Sequence, residues 1–337
     1  LIPWYFTAGI KVSPEHPFFA IKTFKKCKWV KGLCRKTCCS VNECKKRFFE
    51  NYKPRWIMAS ELEKGDVLLF PRFSVIKDVK RIATHENVKN FPKFVEVDED
   101  FCRLAGYYVA EGYTNSRDAI LFTFNKNEKE YIEDVKRIIK SKFGIVAKKG
   151  KSEGDIVFYS KPLRRLFEKM FYHSKPFKAF NKCLPTWMLW LPLKKQAEIL
   201  KGWWRGDKGY TSSCVLANQM KVICLRLGII PCIRIDTTTK HRRRGKHRIG
   251  DRKIKAKFDN YAFYHLSFFE DPFNLLNEKC FKKFKTSRPT RHGWIDEKYI
   301  YLTIRNVAMA DIAMIPAKIA ILIAELDQSF LSTIIFA

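Results

Sequence analysis

The chain has 337 residues, enough for two domains, and its 46% apolar and 15% aromatic content supplies folded cores and excludes a disordered chain. Lys and Arg number 65 against 34 Asp and Glu, a net charge of +31 that exceeds what solubility needs and points to a polyanionic partner. The longest apolar run, Ile312 to Leu326, is broken by Pro316 and Lys318 and falls short of the roughly 20 residues of a membrane span, so no membrane partner is expected; the lack of a signal-peptide pattern and the odd number of cysteines, 11, predict a cytoplasmic chain without a disulfide framework, and the missing initiator Met reads as a fragment.

From the N-terminus, the stretch Ile10-Lys-Val-Ser-Pro-Glu-His-Pro-Phe-Phe-Ala-Ile21 alternates as an extended segment, and Pro14 and Pro17 confine it to strand ends and turns. Trp56 to Pro71 reads as a short helical turn capped by Ser60 that passes through Lys64-Gly65-Asp66 into an apolar strand. Ser13-x-x-His16 resembles the Thr-x-x-His block of inteins, and Glu61-Leu-x-x-Gly-Asp66 resembles the next stretch of the same all-β Hint-type fold. This resemblance implies that His16, with Ser13, would polarise an amide at an N-terminal splice junction inside a host protein. Inteins begin with a Cys or Ser nucleophile and end in His-Asn, whereas this chain begins at Leu1 and ends at Ala337, so it is not expected to splice.

Five cysteines fall between Cys27 and Cys44. Cys27, Cys34, Cys38 and Cys44 are separated by six, three and five residues in Lys/Arg-rich surroundings that favour thiolates. With no histidine in the window, a site here would be all-sulfur and structural, holding either zinc or an iron–sulfur cluster. The spacing resembles the cluster loop of endonuclease III-type DNA glycosylases, differing by one residue in the middle gap.

Leu104-Ala-Gly-Tyr-Tyr-Val-Ala-Glu111-Gly112 and Leu200-Lys-Gly-Trp-Trp-Arg-Gly-Asp207-Lys208-Gly209 repeat one pattern 96 residues apart. Read as helices, Gly106 and Ala110 share one face and Gly202 and Gly206 another, and such faces pack backbone to backbone. Glu111 and Asp207 would then emerge side by side at the negative ends of two helix macrodipoles, where a carboxylate is disfavoured by roughly 0.3–1 kcal/mol and a divalent cation reverses the penalty. Both segments resemble the LAGLIDADG motif of homing endonucleases, over about residues 97–285. The resemblance implies a monomer with two pseudosymmetric halves that cleaves double-stranded DNA with magnesium held by Glu111 and Asp207. Lys208 departs from the glycine usual at that place in the family. Lys182 and Lys283 are candidates for electrostatic assistance, from position alone.

Between the motifs, Ala119 to Phe124 reads as a strand, Glu128 to Phe143 as a helix stopped by Gly144, and Leu163 to Phe171 as another helix. The second half is expected to repeat this order, with a strand near Cys214, a helix from Gln219 to Leu227 stopped by Gly228, and strands from Ile229 to Asp236 and Asn260 to Phe268. The loop of that last hairpin, Lys240 to Lys257, has ten Lys or Arg and one Asp. A two-stranded ribbon fits the major groove, which assigns Arg242, Arg243, Arg244, Lys246, Arg248, Arg252 and Lys253 to DNA contact, above all with phosphates. Tyr299 to Arg305 resembles a returning Hint strand.

The sequence thus predicts an α+β chain. Residues 1–96 form a Hint-like β part with a Cys-rich insert at 27–44. Residues 97–285 form two αββαββα halves, about 97–180 and 181–285, and residues 286–337 a diverged Hint-like remnant. Its expected function is site-specific double-strand DNA cleavage with magnesium in an intein-like frame. The alternatives are a splicing element that is defective as it stands and a non-catalytic nucleic-acid binder of maturase-like character.

Overall fold

A computed structural model describes residues 12–22, 53–63, 65–236, 248–249, 252–253, 263–267, 293–296 and 298–304. The extended N-terminal stretch becomes strand β1 (Pro17–Ile21), antiparallel both to β2 (Arg55–Met58) and to β3 (Val67–Pro71). Alternation puts Phe18, Ala20, Ile57 and Leu68 into one small core. The helical turn expected after Trp56 is shorter and later than anticipated. Trp56 to Met58 are strand, and a single 3-10 turn covers Ala59–Glu61. Ser60 lies inside that turn and does not cap it; the Glu61 carboxylate instead accepts a hydrogen bond from the Met58 N–H at 3.2 Å. A two-stranded hairpin, β4 (Arg81–Ala83) with β5 (Phe94–Glu96), leads into the main body.

Helix α1 (Glu99–Glu111) starts where the Asp98 side chain accepts from the Phe101 N–H at 2.9 Å, with Glu99 and Asp100 favourably placed in its first turn. It runs directly into β6 (Gly112–Asn115), which turns through Asp118 into β7 (Ala119–Thr123). Helix α2 (Lys129–Phe143) ends at Gly144 in the left-handed region, with Lys140 and Lys142 in the last turn. Next come the short strand β8 (Lys148–Lys149), β9 (Asp155–Tyr159) and α3 (Lys161–Phe171), which Ser160 caps. This is the expected αββαββα order, and its strands form one antiparallel sheet, β6-β7-β9-β8.

The second half departs from that order. Helix α4 (Leu193–Asp207) is followed by a two-residue strand, β10 (Tyr210–Thr211), and then by α5 (Cys214–Arg226). Cys214, expected near a strand, opens this helix, which begins five residues before the expected Gln219. Ser213 forces the change by accepting from the Leu216 N–H at 3.1 Å, and Leu216, Ala217, Met220, Ile223 and Cys224 then fall on one buried face at helical spacing. Strands β11 (Cys232–Asp236), β12 (Arg248–Ile249), β13 (Arg252–Lys253) and β14 (Phe263–Ser267) complete the described part of this half, with β12 and β13 paired separately and a sheet in the order β10-β14-β11. Among the described residues the two halves are therefore related but are not copies.

The chain ends its described course with β15 (Gly293–Ile295) and β16 (Tyr299–Thr303). Residues 299–303 of β16 pair antiparallel with 67–71 of β3, giving a five-stranded sheet in the order β15-β16-β3-β1-β2. Segments more than 220 residues apart thus share one sheet. Arg72 and Arg226, both buried, join it to the main body. Arg72 donates to the Asp296 carbonyl at 2.8 Å and to the Arg226 carbonyl at 3.1 Å, while Arg226 donates to the Gln196 side chain and to the carbonyls of Phe73 and Val75.

Candidate functional site

Helices α1 and α4 touch along the small residues that the sequence singled out. A methyl on Gly106 would lie 2.2 Å from the Ile199 carbonyl oxygen, and one on Gly202 would lie 2.2 Å from the Arg103 carbonyl oxygen. The helices therefore meet backbone to backbone, which only glycine permits. One turn further on, a methyl on Gly206 would meet Ala110 Cβ at 2.6 Å and Glu111 Cγ at 2.9 Å. Arg103 reinforces the crossing from the other end, paired with Asp134 of α2, with Glu198 of α4 and with Asp100. Nothing in the sequence pattern marked that cluster, because its members are 31 and 95 residues apart.

Glu111 and Asp207 are the last residues of their helices and both are half-buried. Burial pushes the Glu111 carboxyl up to about 7, with the neighbouring Glu128 charge acting in the same sense and Lys182 and Lys208 opposing. Burial also raises Asp207 well above the ordinary carboxylate range, and the Glu111 charge raises it further. Each acid thus disfavours ionisation of the other, as the helix dipoles do. Among the described residues no group of three or more His, Cys, Asp or Glu side chains comes together, so these acids stand as a pair.

Lys182 is brought to this pair from 71 residues beyond Glu111 along the chain. It is buried, and its ammonium donates to the α1 carbonyls of Tyr108 at 3.2 Å and Ala110 at 3.0 Å. Burial lowers its pKa while the charges of Asp207 and Glu111 hold it up. The segment is clamped onto α5. The Ser213 hydroxyl donates to the Lys182 carbonyl at 2.6 Å, and the Gln219 amide makes two bonds with the Leu184 backbone, at 2.7 and 2.8 Å. Lys208, the departure from the expected glycine, takes the left-handed conformation at φ 50° and folds its ammonium back to the Arg205 carbonyl at 2.7 Å. A cation there offsets the negative end of α4. In the sequence alone Lys208 stands only as a departure from the expected glycine.

The other expected site residues divide by location. Ser13 and His16 lie in an exposed turn before β1, where the His16 N–H donates to the Ser13 carbonyl at 3.1 Å and the His16 carbonyl accepts from Ala59. Cys27, Cys34, Cys38, Cys44, Arg242, Arg243, Arg244, Lys246 and Lys283 lie outside the described residues. Residues 248 and 253 pair across β12 and β13. Among the described residues no helix is long and apolar enough to cross a membrane.

Residues 98–181 match the family model of the LAGLIDADG-like domain, so the chain carries a LAGLIDADG-type domain that includes α1 and Glu111. The chain is 37% identical over 325 residues to an uncharacterized protein of Methanocaldococcus jannaschii, covering 90% of this chain and 39% of that one. It is 30% identical over 160 residues to an iron–sulfur cluster assembly SufBD family protein of Mycobacterium tuberculosis, covering 45% of this chain and 17% of that one. It is 23% identical over 306 residues to the ATP-dependent DNA helicase Hel308 of Thermococcus kodakarensis, covering 76% of this chain and 26% of that one. The chain thus spans well under half the length of these relatives. Among solved structures, variants of the homing endonuclease I-DmoI align at 14% identity with a TM-score of 0.34, covering 53% of this chain and 94% of that chain.

Proposed function

We propose that the chain cleaves double-stranded DNA at specific sites, with Glu111 and Asp207 as the acids that hold a catalytic magnesium ion. One observation carries the reading: glycine-mediated contact sets two half-buried acids, each resisting ionisation, at adjoining helix ends. That arrangement is unfavourable by itself and becomes favourable with a cation. The donor set fits, because magnesium is commonly bound through one or two carboxylates and completed by substrate phosphates and water. When bound, the ion supplies an activated water and stabilises the leaving oxygen. Glu111 and Asp207 give up their protons to ligate. Lys182, tethered to the α1 carbonyls, brings a positive charge to the pair and assists electrostatically. The net charge of +31 suits a phosphate-rich substrate.

Incubation of the purified chain with magnesium and a plasmid library tests this. Double-strand breaks that require magnesium and vanish in Glu111→Gln and Asp207→Asn are expected. Retention of DNA with no cutting under any divalent cation would instead identify a non-catalytic binder of maturase-like character.

A second feature favours an intein-like frame around this domain. Strands β1, β2 and β3 before it and β15 and β16 after it pair in one sheet, as the two parts of an interrupted Hint-type domain would. The matched stretches of the mycobacterial assembly protein and the helicase cover 45% and 76% of the chain, so they overlap. A segment shared by proteins named for such different tasks behaves as an insert. Expression of the complete gene product tests the frame: ligated flanks with the segment excised are expected from a working element, and a stably uninterrupted product would refute splicing.

A further inference from the structure

A helix frays first at its ends, because the last carbonyls have no partner within the helix. Glu111 and Asp207 each close a helix, so whatever holds those last turns fixes where the acids stand. For α1 the holding group comes from the other half of the chain, as the Lys182 ammonium on the carbonyls of Tyr108 and Ala110. For α4 the structure shows a counterpart built from different chemistry.

The counterpart is the first turn of α2, in the first half. Tyr131 packs against the main core beside Tyr107, with ring centroids 6.2 Å apart. Two cations from the end of α4 stand over its ring, the Arg205 guanidinium at 4.9 Å from the centroid and the Lys208 ammonium at 5.5 Å. Both lie within the roughly 6 Å reach of a cation–π contact. The Arg205 side chain is only 16% exposed, so its contact is largely desolvated and is the stronger of the two. Its guanidinium also donates to the Tyr107 hydroxyl at 2.8 Å and to the Glu130 carboxylate at 3.4 Å. Lys208 stands 3.9 Å from Glu128 and folds back onto the Arg205 carbonyl at 2.7 Å. Residues 205 and 208 bracket Asp207, so the last turn is tied down on both sides of the acid, and the Tyr131 ring is the partner that both cations share.

Resting on the reading of Glu111 and Asp207 as magnesium ligands, we propose that Tyr131 is a positioning residue for Asp207: its ring holds Arg205 and Lys208, and through them the metal-binding end of α4. Each half of the chain thus holds the acid of the other half. An ammonium on backbone carbonyls does so at α1, and an aromatic ring under two cations does so at α4. Tyr131 acts through the helix end and not on the metal.

The test uses manganese, which takes the same oxygen ligands as magnesium, and reads its binding to the full chain by electron paramagnetic resonance without DNA. The part of that binding lost in Glu111→Gln and in Asp207→Asn defines the acid-pair site. Tyr131→Leu, which changes no charge, should weaken this part by about three- to tenfold, the scale of one or two cation–π contacts. Tyr131→Phe keeps the ring and should bind as the parent does. Arg205→Met should also weaken it, whereas loss of a positive charge near the site would by Coulomb attraction alone tighten a bound cation. That opposite sign separates positioning from electrostatics, and it decides the matter should Tyr131→Leu fail to fold. A purely structural role would lower the melting temperature of Tyr131→Leu and leave its manganese affinity at the parent value. That result, a Phe variant as weak as the Leu variant, or tighter binding in Arg205→Met would overturn the inference and leave the nuclease reading standing. Manganese binding that neither acid variant reduces would overturn the metal reading itself, and this inference with it.

Discussion

Replacing Gly202 by alanine tests the helix contact on which the site depends. The added methyl would sit 2.2 Å from the Arg103 carbonyl oxygen and 2.9 Å from the Tyr107 nitrogen, and real Cβ contacts essentially never fall under 3.0 Å. Both obstacles are backbone, so no side chain can swing aside and α1 and α4 must move apart. Alanine gains roughly 0.5–1 kcal/mol over glycine inside a helix. Overpacking a tight contact costs about 1–3 kcal/mol, and against backbone the upper part of that range applies. The net expectation is a loss of about 1–2 kcal/mol, or several degrees in Tm for a chain of this size. Gly106→Ala, blocked at 2.2 and 2.7 Å by Ile199 and Trp203 backbone, should cost a similar amount. Once the helices have parted for one methyl, the second finds space already open, so the double variant should cost less than the sum by about 0.5 kcal/mol or more. Gly206→Ala meets side chains, Ala110 and Glu111, and should disturb magnesium-dependent cleavage more than stability. Urea melts of the three single variants and the Gly106/Gly202 double variant provide the readout. A Gly202→Ala protein as stable as the parent would refute backbone-to-backbone contact.

The Glu111 carboxyl is raised from 4.5 to about 7, so its ionisation costs the metal-free fold nothing below about pH 4.5 and up to about 3 kcal/mol above pH 7. Glu111→Gln should therefore melt higher than the parent at pH 8 without metal, and should lose the stabilisation that magnesium gives the parent; an equal or lower melting temperature at pH 8 would sink this assignment. Ser213→Ala removes both the α5 cap and the tether on the Lys182 carbonyl, and should cost about 1–3 kcal/mol in thermal melts while slowing cleavage. Unchanged cleavage would show that Lys182 needs no such anchor. Neutralising Arg242, Arg243 and Arg244 together should lower the salt slope of log K for DNA by up to about 2.7, and an unaltered slope would place that hairpin away from phosphates. Protein prepared without oxygen should carry zinc or iron that is lost on replacing Cys27 and Cys44 by Ser, which elemental analysis decides.

Periodicity and local chemistry made much of the main body legible. The helices ending at Glu111 and Asp207, the stop at Gly144 and the strand from Ala119 follow from apolar spacing and cap residues within a few turns of chain, so the sequence by itself determined them. The pairing of α1 with α4 was also readable, because steric access is a property of glycine and the glycines repeat in register. The α5 start is written in Ser213 and the spacing from Leu216, and the near-repeat of the first half's order, which would put a strand near Cys214, competes with that local signal. Only the tertiary structure decided which distant residues complete the site. Lys182 reaches the carbonyls of Tyr108 and Ala110 because Ser213 and Gln219 pin its segment to a helix that follows it in sequence. Arg72 and Arg226 likewise meet carbonyls that local spacing does not reveal, and β16 pairs with β3 across more than 220 residues. A hydrogen bond of that kind depends on where two backbones come to rest when the cores pack, and short-range pattern carries no record of it.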